Sequence, residues 1–255
     1  MIKITFLGTG TSQGVPVIAC NCAVCESMDG EDKRLRSSIL IQSDDASVVI
    51  DTGPDFRQQM LRERVNRLDA VVYTHEHKDH VAGMDDVRAF NYKQQKDMEL
   101  YATERVQQAL VREFPYAFTE YKYPGVPQVN LNTIDAENSF RINDLQFDPI
   151  KVMHYQLPVL GYRINNFVYI TDANFISEIE KEKIKGCRVL VINALRVKKH
   201  LSHFNLEEAI SLSKEINAEK TYLTHISHLM GKHHDVSKEL PENIQIAYDG
   251  LSLSL

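Results

Sequence analysis

No apolar run in this sequence approaches the roughly 18 residues that cross a bilayer as a helix. The opening run Met1-Ile2-Lys3-Ile4-Thr5-Phe6-Leu7 stops at Gly8, too short for the core of a signal peptide. The expectation from these absences is a soluble, cytoplasmic protein with no membrane partner. Positive charge is not in excess either. Lys and Arg number 29 against 35 Asp and Glu, for a formal net charge of -6. A surface built to grip a phosphate backbone rests on clustered Lys and Arg, so no stable nucleic-acid partner is expected, although one small anionic substrate remains allowed. Low-complexity segments, charge blocks and internal repeats are missing. Cysteine is scarce, with four in 255 residues, and 43% hydrophobic residues suffice for a core without disulfide staples.

What is present is uneven. Three of the four cysteines, Cys20, Cys22 and Cys25, fall within six positions, and there are ten histidines. In a reducing compartment such spacing reads as metal binding rather than as a disulfide framework.

Short Val- and Ile-rich runs alternate with amphipathic stretches along the chain. Residues 2–7, 38–41, 48–50 and 70–73 read as strands bounded by Gly, Ser or Asp. Pro54 suits a first helical turn, and Phe56, Met60, Leu61 and Val65 recur at helical spacing, which predicts a helix over 54–65. Further helices are predicted at 83–92, 104–114, 177–184 and 206–216, the last capped by Asn205 with Glu208 completing a capping box. Strands are predicted near 98–101, 140–152, 160–171, 188–192, 221–224 and 244–253, with turns at Asn143-Asp144 and Asn165-Asn166. This mixture predicts an α/β fold of two mixed β-sheets with helices outside, a single domain over residues 1–255. The loop over residues 8–37 is too long to stand without support. A metal held by its cysteines would supply that support.

The densest chemistry lies in Thr74-His75-Glu76-His77-Lys78-Asp79-His80, directly after the strand at 70–73. Imidazoles and a carboxylate are costly to crowd at a strand end unless a cation binds them. A divalent metal does so, because neutral imidazole ligates zinc, manganese or iron and carboxylate adds a hard oxygen. Later in the chain His154, Asp172 and His225 each follow an apolar strand and could converge on the same edge. Singly, each also reads as an ordinary strand or turn residue.

The His-x-His-x-Asp-His run resembles the signature of the metallo-β-lactamase superfamily. The resemblance extends to the opening strand with Gly8-Thr9-Gly10-Thr11-Ser12, to Val49-Ile50-Asp51-Thr52-Gly53, and to the order of the later ligand positions. It implies an αββα sandwich with two metals at the edge between the sheets. On that implication His75 and His77 bind one metal with a later histidine, Asp79 and His80 bind the other with another, His154 and His225 are the later histidines, and Asp172 bridges. Oxygen-reducing diiron relatives resemble His-x-Glu-x-Asp, with a carboxylate where this chain has His77. An imidazole there suits hydrolysis better than iron redox chemistry.

Two elements narrow the resemblance to the PhnP branch, which contains phosphodiesterases for cyclic ribosyl phosphates. The first is Cys20-x-Cys22-x-x-Cys25, able to hold a structural zinc with a fourth ligand. Thr224-His225-Ile226-Ser227-His228 resembles the corresponding stretch of that branch and makes His228 the leading candidate, with His233 and His234 left open by spacing. Cys187 introduces a strand and reads as a plain buried cysteine. The second element is His200-Leu201-Ser202-His203. In the PhnP branch and in tRNA 3′-processing nucleases a histidine in this region faces the metals, and His203 matches it by position. A surface histidine near a helix start is the competing reading. Arg196, Lys198 and Lys199 nearby read as a solvated basic turn.

The function these readings imply is two-metal hydrolysis of a small cyclic phosphate or nucleotide by a hydroxide held between the metals, with Asp79 and Asp172 orienting it and His203 protonating the leaving oxygen. The cofactors expected are two divalent ions, zinc or manganese or iron, plus one structural zinc. A lactonase or thioesterase would use the same metals. A PqqB-like accessory protein is the non-catalytic alternative, expected to lack part of the ligand set that here stands whole. The resemblance also allows a homodimer. Substrate specificity is expected in the loops at 116–127 and 156–160.

Overall fold

The computed structural model describes residues 1–121 and 123–255. The first six strands build one sheet: β1 (Lys3–Gly8), β2 (Ser38–Gln42), β3 (Ser47–Ile50), β4 (Ala70–Val72), β5 (Met98–Ala102) and β6 (Val129–Thr133). A second sheet takes β7 (Phe140–Ile142), β8 (Leu145–His154), β9 (Leu157–Ile164), β10 (Phe167–Ile170), β11 (Phe175–Ile176), β12 (Val189–Asn193), β13 (Lys220–Thr224) and β14 (Ile244–Ile246). The last strand, β15 (Ser252–Ser254), crosses back to pair antiparallel with β1. The orders are β15-β1-β2-β3-β4-β5-β6 and β11-β8-β9-β10-β12-β13-β14, with β7 on the flank of β8.

Each sheet is antiparallel in its first half and parallel in its second. The pairing changes at β3–β4 in one and at β10–β12 in the other. Parallel strands require crossovers, which here carry the helices α1 (Phe56–Arg62), α2 (Lys78–Val81), α3 (Arg88–Gln94), α4 (Glu104–Glu113), α5 (Pro115–Phe118), α6 (Glu178–Ile184), α7 (Leu206–Ile216) and α8 (His233–Ser237). Side chains alternate across each strand, so Val48, Ile50, Ala70 and Val72 face Tyr162, Phe167, Tyr169 and Val191 between the sheets. Val49, Val71 and Tyr73 point the other way, onto Phe56, Val87 and Phe90. Val168, Ile170, Leu190 and Ile192 likewise meet Ile184, Leu212 and Ile216. Strands buried on both faces read as unbroken apolar runs, the pattern that marked them in the sequence. Two sheets between outer helices form the αββα sandwich of the metallo-β-lactamase fold, as expected.

Several local expectations shift. Helix 83–92 is a 3₁₀ turn over Met84–Val87 that continues into α3. The stretch 244–253 splits into β14 and β15, which belong to different sheets. β6, with the sequence VNLNT, carries too little apolar signal to have been read as a strand. Of the two loops assigned to specificity, 156–160 lies mostly in β9, entered by a tight turn at Tyr155 (φ 56°). The other, 116–127, starts in α5 and includes residue 122, outside the described residues. The capping box on α7 is present, with Asn205 Oδ1 accepting from Glu208 N at 2.8 Å and Glu208 Oε2 accepting from Asn205 N at 3.0 Å.

The 8–37 loop is held by more than its cysteines. Arg34 is buried, donating from Nη1 to Thr9 Oγ1 (2.8 Å) and Ala247 O (2.5 Å). Asp249 accepts from Thr9 N, Thr9 Oγ1 and Leu35 N. Among the described residues no helix is long and apolar enough to cross a membrane.

Candidate active site and metal centres

The parallel strands of both sheets deliver chemistry at their carboxyl ends. β3 ends at Ile50, followed by Asp51; β4 leads through Tyr73 to the histidine motif; β10 leads to Asp172; β13 is followed by His225. Asp51, Asp172 and His225 all take left-handed backbone angles, with φ of 65°, 54° and 56°. Such angles disfavour residues with a Cβ, and they turn the chain sharply off each strand so that the side chain points along the sheet edge. Gly53 brings the Asp51 turn against the motif. A Cβ there would meet Asp79 O at 2.2 Å, and Thr52 exchanges backbone bonds with His80 and Gly83.

The hydrogen bonds fix a protonated nitrogen on His75, His80 and His154. Thr74 Oγ1 donates to Asp51 Oδ2 (2.8 Å), so its contact with His75 Nδ1 (2.9 Å) makes that nitrogen the donor and leaves Nε2 a lone pair. His80 Nδ1 donates to Asp51 Oδ2 at 2.7 Å. His154 Nδ1 donates to Ser202 O at 2.7 Å, since a carbonyl only accepts. His225 has Thr11 Oγ1 3.2 Å from Nε2 and presents Nδ1 to Asp172 Oδ2 at 3.2 Å. Outer-shell partners that set tautomer and ring direction in this way are what ligating histidines require.

The lone pairs converge on carboxylates. His80 Nε2 stands 3.2 Å from both Asp79 Oδ2 and Asp172 Oδ2. His203 Nε2 is 3.1 Å from Asp172 Oδ1. The His77 ring lies 4.6 Å from that of His75 and 5.1 Å from that of His154. Ligand atoms of Asp79, His80, Asp172 and His225 all fall within 4.8 Å of one another, as do those of His154, Asp172 and His203. Nε2 of His75 and of His80 is buried without a hydrogen-bond partner. Buried lone pairs facing carboxylate oxygens are repulsive unless a cation lies among them, so this donor set fits divalent metal ions.

The electrostatics say the same. Burial pushes the proton affinity of His80 down, but Asp79, Asp172 and Asp51 outweigh it and hold the group well above the ordinary histidine value. Burial would raise Asp172, yet His225 and His80 hold it well below the usual carboxylate range. His75 and His225 are depressed, first by burial, the latter to about 4. Neutral imidazoles at His75 and His225, and a proton held on His80 among the carboxylates, both mark a pocket in which positive charge is wanted at the centre.

The second cluster lies in the loop. His228 Nδ1 sits 3.2, 3.4 and 3.5 Å from the sulfurs of Cys20, Cys22 and Cys25. Backbone N–H groups of Cys25 and Val17 donate to Cys22 Sγ (3.4 Å) and Cys25 Sγ (3.3 Å). The Cys25 N–H bond is the leading cause that lowers the Cys22 thiol to about 6, whereas burial raises Cys25 to about 11. A Cys₃His set of this kind has the composition of a structural zinc site.

His75, His77, Asp79, His80, His154, Asp172, His203 and His225 therefore stand together, and Cys20, Cys22, Cys25 and His228 form their own group. His233, an open alternative in the sequence, accepts from Arg34 Nη2 at 3.2 Å instead, and His234 lies exposed beside Asp235. Cys187 is buried under α6 and α7. Arg196 turns onto Lys198 O and Lys199 O of its own loop. Asp51 joins the site without being one of the residues that the sequence pattern assigns to it. The turn Asp51-Thr52-Gly53 after an apolar strand was visible, but not that its carboxylate receives Thr74 and His80. His200 and Ser202 stand in the same short motif as His203, but the motif does not show that their side chains meet its ring.

Residues 46–226 match the beta-lactamase superfamily domain. A solved structure described as a new diphosphatase from the PhnP family superposes with a TM-score of 0.93 at 38% identity, covering 100% of this chain and 98% of that one. The chain belongs to the metallo-β-lactamase superfamily, on its PhnP branch. Zinc-bound PqqB from Methylobacterium extorquens shares the superfamily fold, with a TM-score of 0.82 at 20% identity over 99% of this chain and 100% of that one. An octanoyltransferase of Porphyromonas gingivalis strain W83 is 40% identical over 252 residues, which are 98% of this chain and 51% of that protein. The chain spans about half the length of the curated relatives it matches.

Proposed function

We propose that this chain is a dinuclear metal hydrolase of phosphodiesters, acting on a small cyclic phosphate or nucleotide. The observation that carries this reading is the approach of His203 Nε2 to Asp172 Oδ1 at 3.1 Å, an imidazole set against the carboxylate common to both halves of the ligand cluster. His75, His77 and His154 with Asp172 would hold one ion, and Asp79, His80 and His225 with Asp172 the other; zinc, manganese or iron suits these donors. Divalent ions held there act as Lewis acids toward phosphate oxygens and toward water. Asp79 accepts a hydrogen bond from the attacking water and aligns it. His203 gives a proton to the leaving oxygen, which an unactivated alkoxide needs and an imidazole supplies near neutral pH. Cys20, Cys22, Cys25 and His228 would hold a structural zinc. With a formal net charge of -6 over the whole chain, cationic character confined to the metal-loaded site favours a compact anion over a nucleic-acid strand.

The PhnP-family diphosphatase supports a second substrate class, a phosphoanhydride, whose leaving phosphate needs little protonation. The octanoyltransferase is about twice this length, and here Cys20, Cys22 and Cys25 face His228 while Cys187 is fully buried. Acyl transfer through a cysteine of this chain is therefore not favoured. The test is a hydrolysis panel on metal-loaded protein: bis-nitrophenyl phosphate, 2′,3′-cyclic nucleotides, a ribosyl 1,2-cyclic phosphate, a nucleoside diphosphate, a lactone and a thioester. Turnover of the cyclic phosphates supports the proposal. Turnover confined to the lactone or thioester overturns it.

A further inference from the structure

The segment just before α7 places two more polar side chains behind His203. His203 Nδ1 lies 3.2 Å from His200 Nδ1 and 3.1 Å from Ser202 Oγ. His200 Nδ1 also receives the backbone N–H of Ser202 at 3.4 Å and lies 3.4 Å from Ser202 Oγ. An amide N–H only donates, so His200 Nδ1 is an acceptor and carries no proton. His203 Nδ1 therefore donates to His200 Nδ1, with Ser202 Oγ 3.1 Å away as a second acceptor. His203 Nε2 faces Asp172 Oδ1 at 3.1 Å, the position from which a proton carried there would leave. The Ser202 carbonyl receives His154 Nδ1, so one short turn orients two imidazoles of the cluster.

We propose that His200 is a positioning residue, whose Nδ1 accepts from His203 and thereby fixes the direction and tautomer of that ring, with Ser202 as the bridge. His200 meets the cluster through His203 and acts by way of that ring, as the outer hydrogen-bond partners of site histidines do. The inference rests on the proposed hydrolytic role of His203, and the test separates the two.

The test compares wild type, His200→Ala and His200→Asn, all zinc-loaded. Asn is chosen because its side-chain oxygen can accept from both Ser202 N–H and His203 Nδ1. Long-range ¹H–¹⁵N spectra of the imidazoles report the His203 tautomer without any substrate. Wild type and His200→Ala are expected to differ, with a single Nδ1–H form in the first and a mixture in the second, and His200→Asn should restore the single form. On a diester with a poor leaving group, kcat of His200→Ala should fall about tenfold with KM within about twofold and metal content unchanged, and Asn should recover most of the loss. If the tautomer is the same in wild type and His200→Ala, the proposal is wrong. It is equally wrong if Ala and Asn lose metal and thermal stability alike, the signature of a structural role. A tautomer change in a protein that hydrolyses no phosphodiester would sustain the positioning role and reject the substrate assignment alone.

Discussion

Asp51 Oδ2 accepts from His80 Nδ1 at 2.7 Å, and both side chains are wholly shielded from solvent. The same carboxylate receives Thr74 N and Thr74 Oγ1, each at 2.8 Å, and Thr74 in turn holds His75. One buried acid thus orients two histidines of the cluster. Asp51→Asn keeps the size but sets amide hydrogens against the donors of His80 and Thr74. The expected outcome is a fall in metal affinity of about 10–100-fold, measured by competition with a chromophoric chelator. Unchanged affinity would remove Asp51 from the site.

The cysteine cluster is expected to act on stability and not on turnover. Cys22→Ser should release about one zinc per chain and lower the melting temperature, as measured by elemental analysis and calorimetry. The other metal content should persist, because Thr11 Oγ1 and the backbone bonds Thr11 N–Ile226 O and Ile226 N–Thr9 O hold the His225 segment without the thiols. Loss of all metal would show that the two clusters assemble as one.

His203→Ala should separate substrates by leaving group. Turnover of an unactivated diester is expected to fall by about 10²–10⁴-fold, while a nitrophenyl ester, whose leaving group needs little protonation, loses far less. Equal losses on both would exclude proton donation. Rescue of the nitrophenyl activity is not required, since the metal ligands stay in place.

Acid sensitivity of the fold is expected to run partly through His233. Burial and then the charge of Arg34 depress its proton affinity, and Arg34 Nη2 donates to its Nδ1. Because the folded-state value lies below the unfolded one of about 6.5, the unfolded chain binds more protons as pH falls through that value, and stability is lost on acidification. His233→Asn keeps an acceptor for Arg34 without a titrating ring. Between about pH 7 and about pH 5 its melting temperature should fall less than that of wild type. Parallel curves would locate the acid sensitivity elsewhere.

The sequence made the fold legible where side chains are buried on both faces of a strand, as in VVI at 48–50 or VLVI at 189–192, since such runs are rich in β-branched residues and too short for a buried helix. It also displayed the ligands themselves, because imidazoles and carboxylates at strand ends are conspicuous. It concealed what orients them. Asp51, Thr11, Thr74 and Ser202 are common turn residues, and their roles arise only when chain segments up to 214 residues apart, as in Thr11 and His225, come within hydrogen-bond distance. β6 was concealed for a related reason: its Asn130 and Asn132 pair with Glu99 on β5, a cross-strand relation absent from the local pattern. The choice among His228, His233 and His234 was likewise a matter of where the chain returns, not of spacing.

Asp51, Asp172 and His225 leave their strands in a conformation that costs a side-chain-bearing residue about 1–2 kcal/mol relative to glycine. All three are also the groups on which the cluster turns. A selection for heat tolerance alone would therefore relax these corners first, and each step would remove a carboxylate or an imidazole from the site. The edge between the sheets is where durability and activity make opposite demands on the same residues.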